Sequence, residues 1–240
     1  MGAPRSAVRF IEAFQELVPV EGRLDHRWLP DGRTRLVLRV HADGSGDLCV
    51  AGPRTRAMFK QPQVARAVVV QLGAGHTAQL GVGAHELTDR IVDLEAMWGA
   101  SGRALYEALH ALDAPRIAAC IADTITQRAA DEPASARLAR RAAQLLENAE
   151  MRVEQVGAEL GVTARHLRRA FHEHIGVGPK EFARAARLQR VLRIAATSRD
   201  WSQIAVAAGY YDQAHLIAEF RELVGVTPVA FIARRDGASP

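Results

Sequence analysis

The sequence has few of the residues on which small secreted domains and metal-binding modules depend. Its 240 residues contain two cysteines, Cys49 and Cys120, which lie far apart and outside any CxxC motif. This excludes a disulfide framework and a zinc ribbon. No apolar run approaches the roughly 20 residues that a membrane-spanning helix needs, and the segment MGAPRSAVRF lacks the apolar stretch of a secretory signal. We therefore expect a cytoplasmic protein without a membrane partner.

Patterns typical of catalytic and cofactor sites are also missing. The sequence has no nucleophile elbow, no glycine loop of the kind that binds phosphate, and no close carboxylate pair with a clear partner. His41, His76 and His85 lack the HxH or HxxxH spacing of metal ligands, so surface or core positions are favoured over a metal role. We predict no catalytic residue, no metal and no cofactor, and hence no enzymatic activity.

Basic charge is concentrated in the second half of the chain. Residues 1–135 contain 15 Lys and Arg against 16 Asp and Glu, a net charge of −1, whereas residues 136–240 contain 16 against 11, a net charge of +5. A basic half joined to a near-neutral half favours an acidic polymer, such as nucleic acid, as the partner of the basic half.

Strand patterns dominate the first part of the chain. The β-branched runs TRLVLRV (Thr34 to Val40), LCVA (Leu48 to Ala51) and AVVVQL (Ala67 to Leu72) are bounded by Gly, Asp and Pro, as in hairpins. Residues 5–17 fit either a helix or a strand. After Gly83 the apolar residues recur with helical spacing, which predicts helices in AHELTDRIVDLEAMW and a further helix that starts near Asp113.

The second part of the chain is predicted to be entirely helical. The polar, proline-interrupted stretch RAADEPASARLARR, residues 128–141, predicts a domain boundary. The predicted fold class is α+β, with a β-rich, barrel-like domain that also contains helices at residues 1–130. A linker at residues 131–136 and an all-α domain at residues 137–235 follow.

One phrase occurs twice in the helical part. GVGPKEF at residues 176–182 matches GVTPVAF at residues 225–231, and Phe171 and Phe220 each precede their glycine by five residues. Further back, VGAELG ending at Gly161 resembles IAVAAG ending at Gly209. The repeat therefore spans about thirty residues and predicts two copies of one structural unit.

Each copy has the features of a helix-turn-helix. A short helix ends at Gly161 or Gly209, and a second helix starts within a few residues, with Thr163 or Asp212 as its N-cap. Apolar residues at helical spacing then form the buried stripes of the second helices: Leu167, Ala170 and Phe171 in the first copy, Leu216 and Phe220 in the second.

The repeated phrase then closes each unit. Gly176 and Gly225 end the second helices, and Pro179 and Pro228 start the helices that follow. One turn later, an aromatic side chain in each copy is expected to pack back onto its own motif. These side chains are Phe182 and Phe231.

The two units resemble the C-terminal DNA-binding domain of AraC/XylS-type transcription regulators. The resemblance is carried by VGAELGVTARHLRRAFHEHIGVGPKEFARAARLQRVLRIA and SQIAVAAGYYDQAHLIAEFRELVGVTPVAF, within residues 137–235. It implies two helix-turn-helix units joined by one long helix, from Pro179 to about Thr197, with both reading helices in successive major grooves. A weaker resemblance in LPDGRTRLVL and GVGAHELTDRIVDLEAMWG implies a sensor or assembly module of the same family.

The outer faces of the two reading helices supply the candidate DNA-binding residues. Arginine can bind guanine or a phosphate, Gln213 can reach an adenine or a phosphate, and Ile217 can touch a thymine methyl group. At Ala218 the sequence departs from the polar residue usual in the family. The predicted DNA-binding residues are Thr163, Arg165, His166, Arg168, Arg169, Gln213, Ala214 and Ile217.

These observations predict a sequence-specific DNA-binding transcription regulator. Its expected partners are double-stranded DNA, a small-molecule effector or a second copy of the chain at the N-terminal domain, and RNA polymerase if it is an activator. Two alternatives stay open. One is a DNA-binding tail fused to a metal-bearing β-barrel enzyme, and the other is an interaction protein that binds DNA without sequence preference.

Overall fold

The structure is a computed structural model that describes residues 10–19, 26–60, 63–128, 132–148 and 151–235. Seven strands lie in the first part of these ranges: β1 (Ile11–Leu17), β2 (His26–Trp28), β3 (Arg35–Val40), β4 (Gly46–Ala51), β5 (Met58–Lys60), β6 (Arg66–Leu72) and β7 (Ile91–Asp93). Four helices are interleaved with or follow the strands: α1 (Ala84–Leu87), α2 (Leu94–Trp98), α3 (Ala100–Leu109) and α4 (Ala114–Arg128).

Five of the strands form one antiparallel sheet in the order β1-β6-β3-β4-β7, and β2 pairs with β5 in a separate two-stranded sheet. Both faces of the central strands are buried. Leu36 and Leu38 point into a core with Ile117 and Ile121 of α4, whereas Val37 packs with Trp28 on the opposite face. Burial on both faces explains why these strands are continuous apolar runs instead of alternating ones.

The sheet answers one open question and corrects one expectation. The segment at residues 5–17 forms strand β1 from Ile11 onward, and residues 5–9 lie outside the described residues. The stretch predicted to be helical after Gly83 contains strand β7, which pairs with Cys49 to Ala51 of β4. Ile91 and Val92 are β-branched, and pairing with the sheet edge favours an extended backbone there.

The remainder of the described chain is helical. Its helices are α5 (Ala134–Asn148), α6 (Val153–Glu159), α7 (Ala164–His174), α8 (Pro179–Ile194), α9 (Trp201–Ala207), α10 (Gln213–Val224) and α11 (Pro228–Arg235). Residues 134–136 of the predicted linker belong to the first turn of α5. A β-rich region followed by an all-helical region confirms the predicted fold class.

The helical region contains two hydrophobic cores, one for each copy of the repeat. In the first, Leu167, Phe171 and Phe182 pack with the alanine face of α5. In the second, Leu216, Phe220 and Phe231 pack with Leu188 of α8. Helix α8 spans both cores, since its first half contributes to the first and its second half to the second. No helix in the described ranges combines the length and apolarity needed to cross a bilayer.

Candidate nucleic-acid interface

The first helix-turn-helix consists of α6 and α7. Gly161, between them, has a φ of +64°, the left-handed conformation that a helix-ending glycine adopts. The Thr163 hydroxyl accepts a hydrogen bond from the backbone N–H of His166 at 3.2 Å and so caps α7. Leu167 and Phe171 are fully buried. The predicted cap and buried stripe of this unit are therefore present in the structure.

The opposite face of α7 is exposed and basic. Arg165, Arg168 and Arg169 all lie on the surface, as does His166. Among the described residues, none forms a salt bridge with these three guanidinium groups. Because unpaired guanidinium groups retain all their donors, this face can bind acceptors on base edges or phosphates.

The second helix-turn-helix consists of α9 and α10. The Asp200 carboxylate accepts bonds from Ser202 N and Gln203 N, both at 3.0 Å, and so caps α9. The Asp212 carboxylate accepts a bond from His215 N at 2.7 Å and caps α10. Both caps are of the kind that satisfies the free N–H groups at the start of a helix.

The outer face of α10 is less polar than that of α7. Gln213, Ala214 and Ala218 are exposed, and Ile217 is half-buried. The Gln213 side-chain oxygen accepts a bond from the Ser202 hydroxyl at 3.1 Å, which leaves its amide N–H groups available. Tyr211, directly before the cap residue, is 90% exposed. This surface therefore offers mainly methyl groups and one amide to a partner.

The repeated phrase has the same structure in both units. Gly176 and Gly225 have φ angles of +88° and +84°, and the following helices start at Pro179 and Pro228. The aromatic rings of each unit then meet edge to face. The ring centroids of Phe171 and Phe182 are 5.6 Å apart, and those of Phe220 and Phe231 are 5.7 Å apart. The phrase thus ends each reading helix and starts the helix that packs against it.

A buried carboxylate connects α8 to the second reading helix. Glu219 of α10, 8% exposed, accepts bonds from Arg187 Nη2 at 2.9 and 3.0 Å and from Arg184 Nε at 3.0 Å. Hydrogen bonds to Glu222 and Glu219 raise the pKa of Arg184, against the effect of burial. Burial and the Glu219 charge raise the pKa of the neighbouring Tyr210 phenol. This cluster fixes the orientation of α10 on α8.

This cluster was not predicted from the sequence. Arg184, Arg187, Arg190 and Arg193 recur every three residues along α8, the helix predicted to join the two units. The available signal was Glu219 itself, an acidic residue directly before the buried Phe220. Periodicity alone does not identify which cation reaches it, because the two helices are joined by a turn and by α9.

The N-terminal region contacts the first helix-turn-helix directly. The Thr88 hydroxyl donates a hydrogen bond to the Gly176 carbonyl at 2.7 Å. The imidazole of His85 stacks on that of His172 in α7, with ring centroids 4.4 Å apart. The end of the first reading helix is therefore in contact with the module predicted to control it.

Contacts of the N-terminal region continue along α8 and to the second unit. Gln189 Nε2 donates a hydrogen bond to the Pro30 carbonyl at 2.8 Å. The backbone N–H of Ala57 donates to the Leu223 carbonyl at 2.7 Å. The Arg27 guanidinium lies 5.2 Å from the centre of the Phe231 ring. Both units and the helix between them are thus in contact with the N-terminal region.

An ion-pair network joins β1, the turn before β3 and α5. Arg33 is paired with Glu12 of β1 at 2.8 Å and with Glu147 of α5. Burial alone would lower the pKa of Arg33, but its hydrogen bonds to the two carboxylates raise it above its ordinary value. Arg33 therefore holds its charge between the two regions.

The histidines considered as metal ligands lie in different surroundings. His41 Nδ1 is 3.0 Å from the Gln63 carbonyl, His76 is buried against Phe10, and His85 stacks on His172. His174 is buried beside the Ser135 hydroxyl, and burial lowers its pKa. In the part of the chain that the structure describes, no three His, Cys, Asp or Glu side chains are placed to share a metal ion.

Part of the helical region matches a model of a known protein family. Residues 156–234 match the family model described as "Helix-turn-helix domain", a range that includes both reading helices, α7 and α10. The match confirms the predicted double helix-turn-helix domain. No curated protein matches the sequence.

The chain is similar to solved structures of ToxT from Vibrio cholerae. The O395 structure has a TM-score of 0.48 and 9% identity over 92% of this chain and 97% of that one. A second structure, in the P21 form, has a TM-score of 0.46 and 9% identity over 92% and 98%. Wild-type ToxT from strain SCE256, bound to an unsaturated fatty acid, has a TM-score of 0.45 and 10% identity over 93% and 96%.

Proposed function

We propose that this protein regulates transcription by recognising a specific DNA sequence, as a member of the AraC-type family of DNA-binding transcription regulators. Its residues 156–234 match a helix-turn-helix family model, which supports this proposal. The observation that carries the proposal is the exposed, unpaired arginine face of α7, formed by Arg165, Arg168 and Arg169, opposite the buried Leu167 and Phe171. A second helix of such a unit presents its outer face to the major groove.

The two reading helices differ in the chemistry that they bring to DNA. Arginine side chains of α7 bind guanine O6 and N7 in bidentate fashion, or phosphate oxygens. On α10, Gln213 can bind adenine, and Ile217 and Ala214 can contact thymine methyl groups. Most of the base discrimination therefore belongs to the half-site under α7. The outer face of α10 adds a weaker preference for A·T pairs.

The N-terminal region is proposed to control the DNA-binding region. We assign residues 1–130 to a sensor or dimerisation module, 131–136 to a linker and 137–235 to DNA binding. The contacts of Thr88 with Gly176 and of Ala57 with Leu223 support this role, because a change in the N-terminal region reaches both units directly. A small molecule or a second copy of the chain would act there. RNA polymerase is the further partner if the protein is an activator.

Binding by purified protein tests the proposal. A site is first selected from random-sequence DNA with the wild-type chain, and affinities for that site and for random DNA are then compared. Arg169→Ala should cost about 1 to 3 kcal/mol on the selected site and relax the preference for one base pair under α7. Arg141→Ala, which removes an exposed arginine of α5, is the matched control and should change neither affinity.

The same binding measurements, together with a metal analysis of the purified protein, distinguish the alternative functions. Full retention of affinity in an excess of random competitor DNA would indicate an interaction protein without sequence preference. If Arg169→Ala lowered the affinity for selected and random DNA equally, Arg169 would contact only phosphates and would not discriminate between bases. Stoichiometric zinc or iron in the purified protein would favour a metal-bearing enzyme with a DNA-binding tail.

A further inference from the structure

A basic groove lies between the two helix-turn-helix units. It has a volume of about 480 Å³, is formed by α8 together with the ends of α5 and α6, and is open to solvent. Five of its lining side chains are cationic: Arg152, Lys180, Arg184, Arg187 and Arg190. One acidic side chain, Glu154, also lines it.

Together with a neighbouring cavity, the groove extends from the first reading helix to the turn before the second. A neighbouring cavity of about 250 Å³ shares Val153, Glu154 and Lys180 with the groove and extends to Ala164 and Arg168 in the first turns of α7. At its other end the groove is lined by Gly209, an exposed residue of the turn that leads to α10. The two cavities thus form a continuous path from one reading helix to the turn before the other.

Four cations of the groove, Lys180, Arg184, Arg187 and Arg190, lie on successive turns of one face of α8. Arg184 and Arg187 are held by Glu219. Arg190 donates to the backbone carbonyls of Ala208 and Glu147 at 3.2 and 3.0 Å, which hold its guanidinium group in place on α8.

Two cations of the groove lie nearer to solvent. Arg152 and Lys180 are exposed, and neither forms a salt bridge with another described residue. A linear row of cations of this kind matches a polyanion backbone better than a single small anion, which needs donors aimed at one centre.

We propose that this groove binds the DNA phosphodiester backbone where it passes between the two major grooves that α7 and α10 occupy. When two reading helices sit in successive major grooves, about 34 Å apart, the intervening backbone must cross the surface between them. Arg152 and Lys180 provide phosphate contacts at the surface, and Arg190 of α8, which donates to backbone carbonyls, supplies further positive charge. The charges of Arg184 and Arg187 are paired with Glu219 and Glu222. The phosphate contacts position the DNA and carry no base information.

This inference rests on the proposed function. The salt dependence of DNA binding tests the groove assignment separately from the proposed function. The logarithm of the binding constant falls with the logarithm of salt concentration, and the magnitude of the slope is about 0.9 for each phosphate that the protein neutralises. Arg152→Ala and Lys180→Ala should each reduce this magnitude by about 0.9 and weaken binding to selected and random DNA by the same factor. The double variant should reduce it by about 1.8. Both residues are exposed, so unfolding midpoints should be unchanged.

Arg193→Ala is the matched control. Arg193 is an exposed arginine of the same helix, but it lines a different cavity, between α8 and the N-terminal region. Its removal should leave the slope as in the wild type. If both groove variants kept the wild-type salt dependence while the wild type bound DNA specifically, the groove assignment would be overturned and the proposed function would stand. Tight wild-type binding of inorganic phosphate, together with unchanged DNA slopes, would also overturn the groove assignment. Failure of the wild type itself to bind DNA specifically would instead remove the proposed function.

Discussion

Two glycines with the same backbone conformation differ in what surrounds them. Gly176 and Gly225 each end a reading helix with φ angles of +88° and +84°. A Cβ on Gly176 would lie 2.7 Å from Pro53 Cγ and from Thr88 Oγ1, whereas a Cβ on Gly225 would meet no atom within 4 Å. At the first position the N-terminal region packs against the glycine backbone. At Gly225 the left-handed backbone conformation is the only feature that favours glycine.

Alanine at each glycine separates these two requirements. Gly225→Ala should destabilise the protein by about 1 to 2 kcal/mol, the cost of the left-handed conformation for a side chain with a Cβ. Gly176→Ala should cost about 1 to 3 kcal/mol more, because its methyl group would overlap the N-terminal region. Urea unfolding of the two variants measures the difference. Equal destabilisation would show that the packing around Gly176 relaxes without cost.

Helix α8 orients the second reading helix through charge as well as through packing. Its side chains Arg184 and Arg187 converge on Glu219, while Arg184 also pairs with Glu222 at 2.6 Å. The two acidic residues differ in burial, since the Glu219 side chain is 9% exposed and that of Glu222 is 56% exposed. A buried charge pair contributes to a single orientation because breaking it leaves a charge uncompensated.

Removing each carboxylate should therefore have different effects on DNA recognition. Glu219→Ala should lower the free energy of unfolding by about 2 kcal/mol. The variant should also discriminate less between operators whose half-sites are one helical turn apart and operators with a different spacing. Glu222→Ala should leave both properties near wild type, since exposed pairs contribute little. Binding to a series of operators with different spacers measures this. If Glu219→Ala discriminated between operator spacings as well as the wild type does, the carboxylate would have only a stabilising role.

At the scale of the whole molecule, the N-terminal region covers parts of both helical cores. Gly32 lies so close to Phe182 that a Cβ would be 2.5 Å from its ring. Arg27 lies over Phe231 and donates a hydrogen bond to the Arg234 carbonyl at 3.0 Å. Within the described ranges, the two regions share no strand or helix, so each has its own core, while part of its surface is covered by the other region.

Deletion of residues 1–130 tests this arrangement. The remaining fragment should fold and bind the selected site, because both helical cores are built mainly from its own residues. Its unfolding temperature should fall, since surface around Phe182 and Phe231 becomes exposed to water. It should no longer respond to an effector or associate with a second copy. Calorimetry, sedimentation and DNA binding provide the measurements. An unfolded fragment, or one with the full response of the whole chain, would contradict the two-module assignment.

The outline of the helical region could be read from the sequence because its determinants are local. Helix caps such as Thr163 and Asp212, and the left-handed glycines Gly161 and Gly209, act within a few residues of the chain. Their roles therefore follow from residue type and spacing. The periodic stripe of Leu167 and its neighbours likewise identified which face of α7 is buried and which carries arginines.

Pairings between distant segments were decided only by the tertiary structure. Strand β7 follows Gly83 in a stretch with helical periodicity, and its pairing with β4 overrides that local pattern. In the same way, the partner of Glu219 and the close approach of Thr88 to Gly176 depend on where whole elements pack. The sequence alone thus determined the two helix-turn-helix units and the basic outer face of the first reading helix. Their relative orientation, the groove between them and their contact with the N-terminal region required the folded chain, because each joins residues that no local spacing relates.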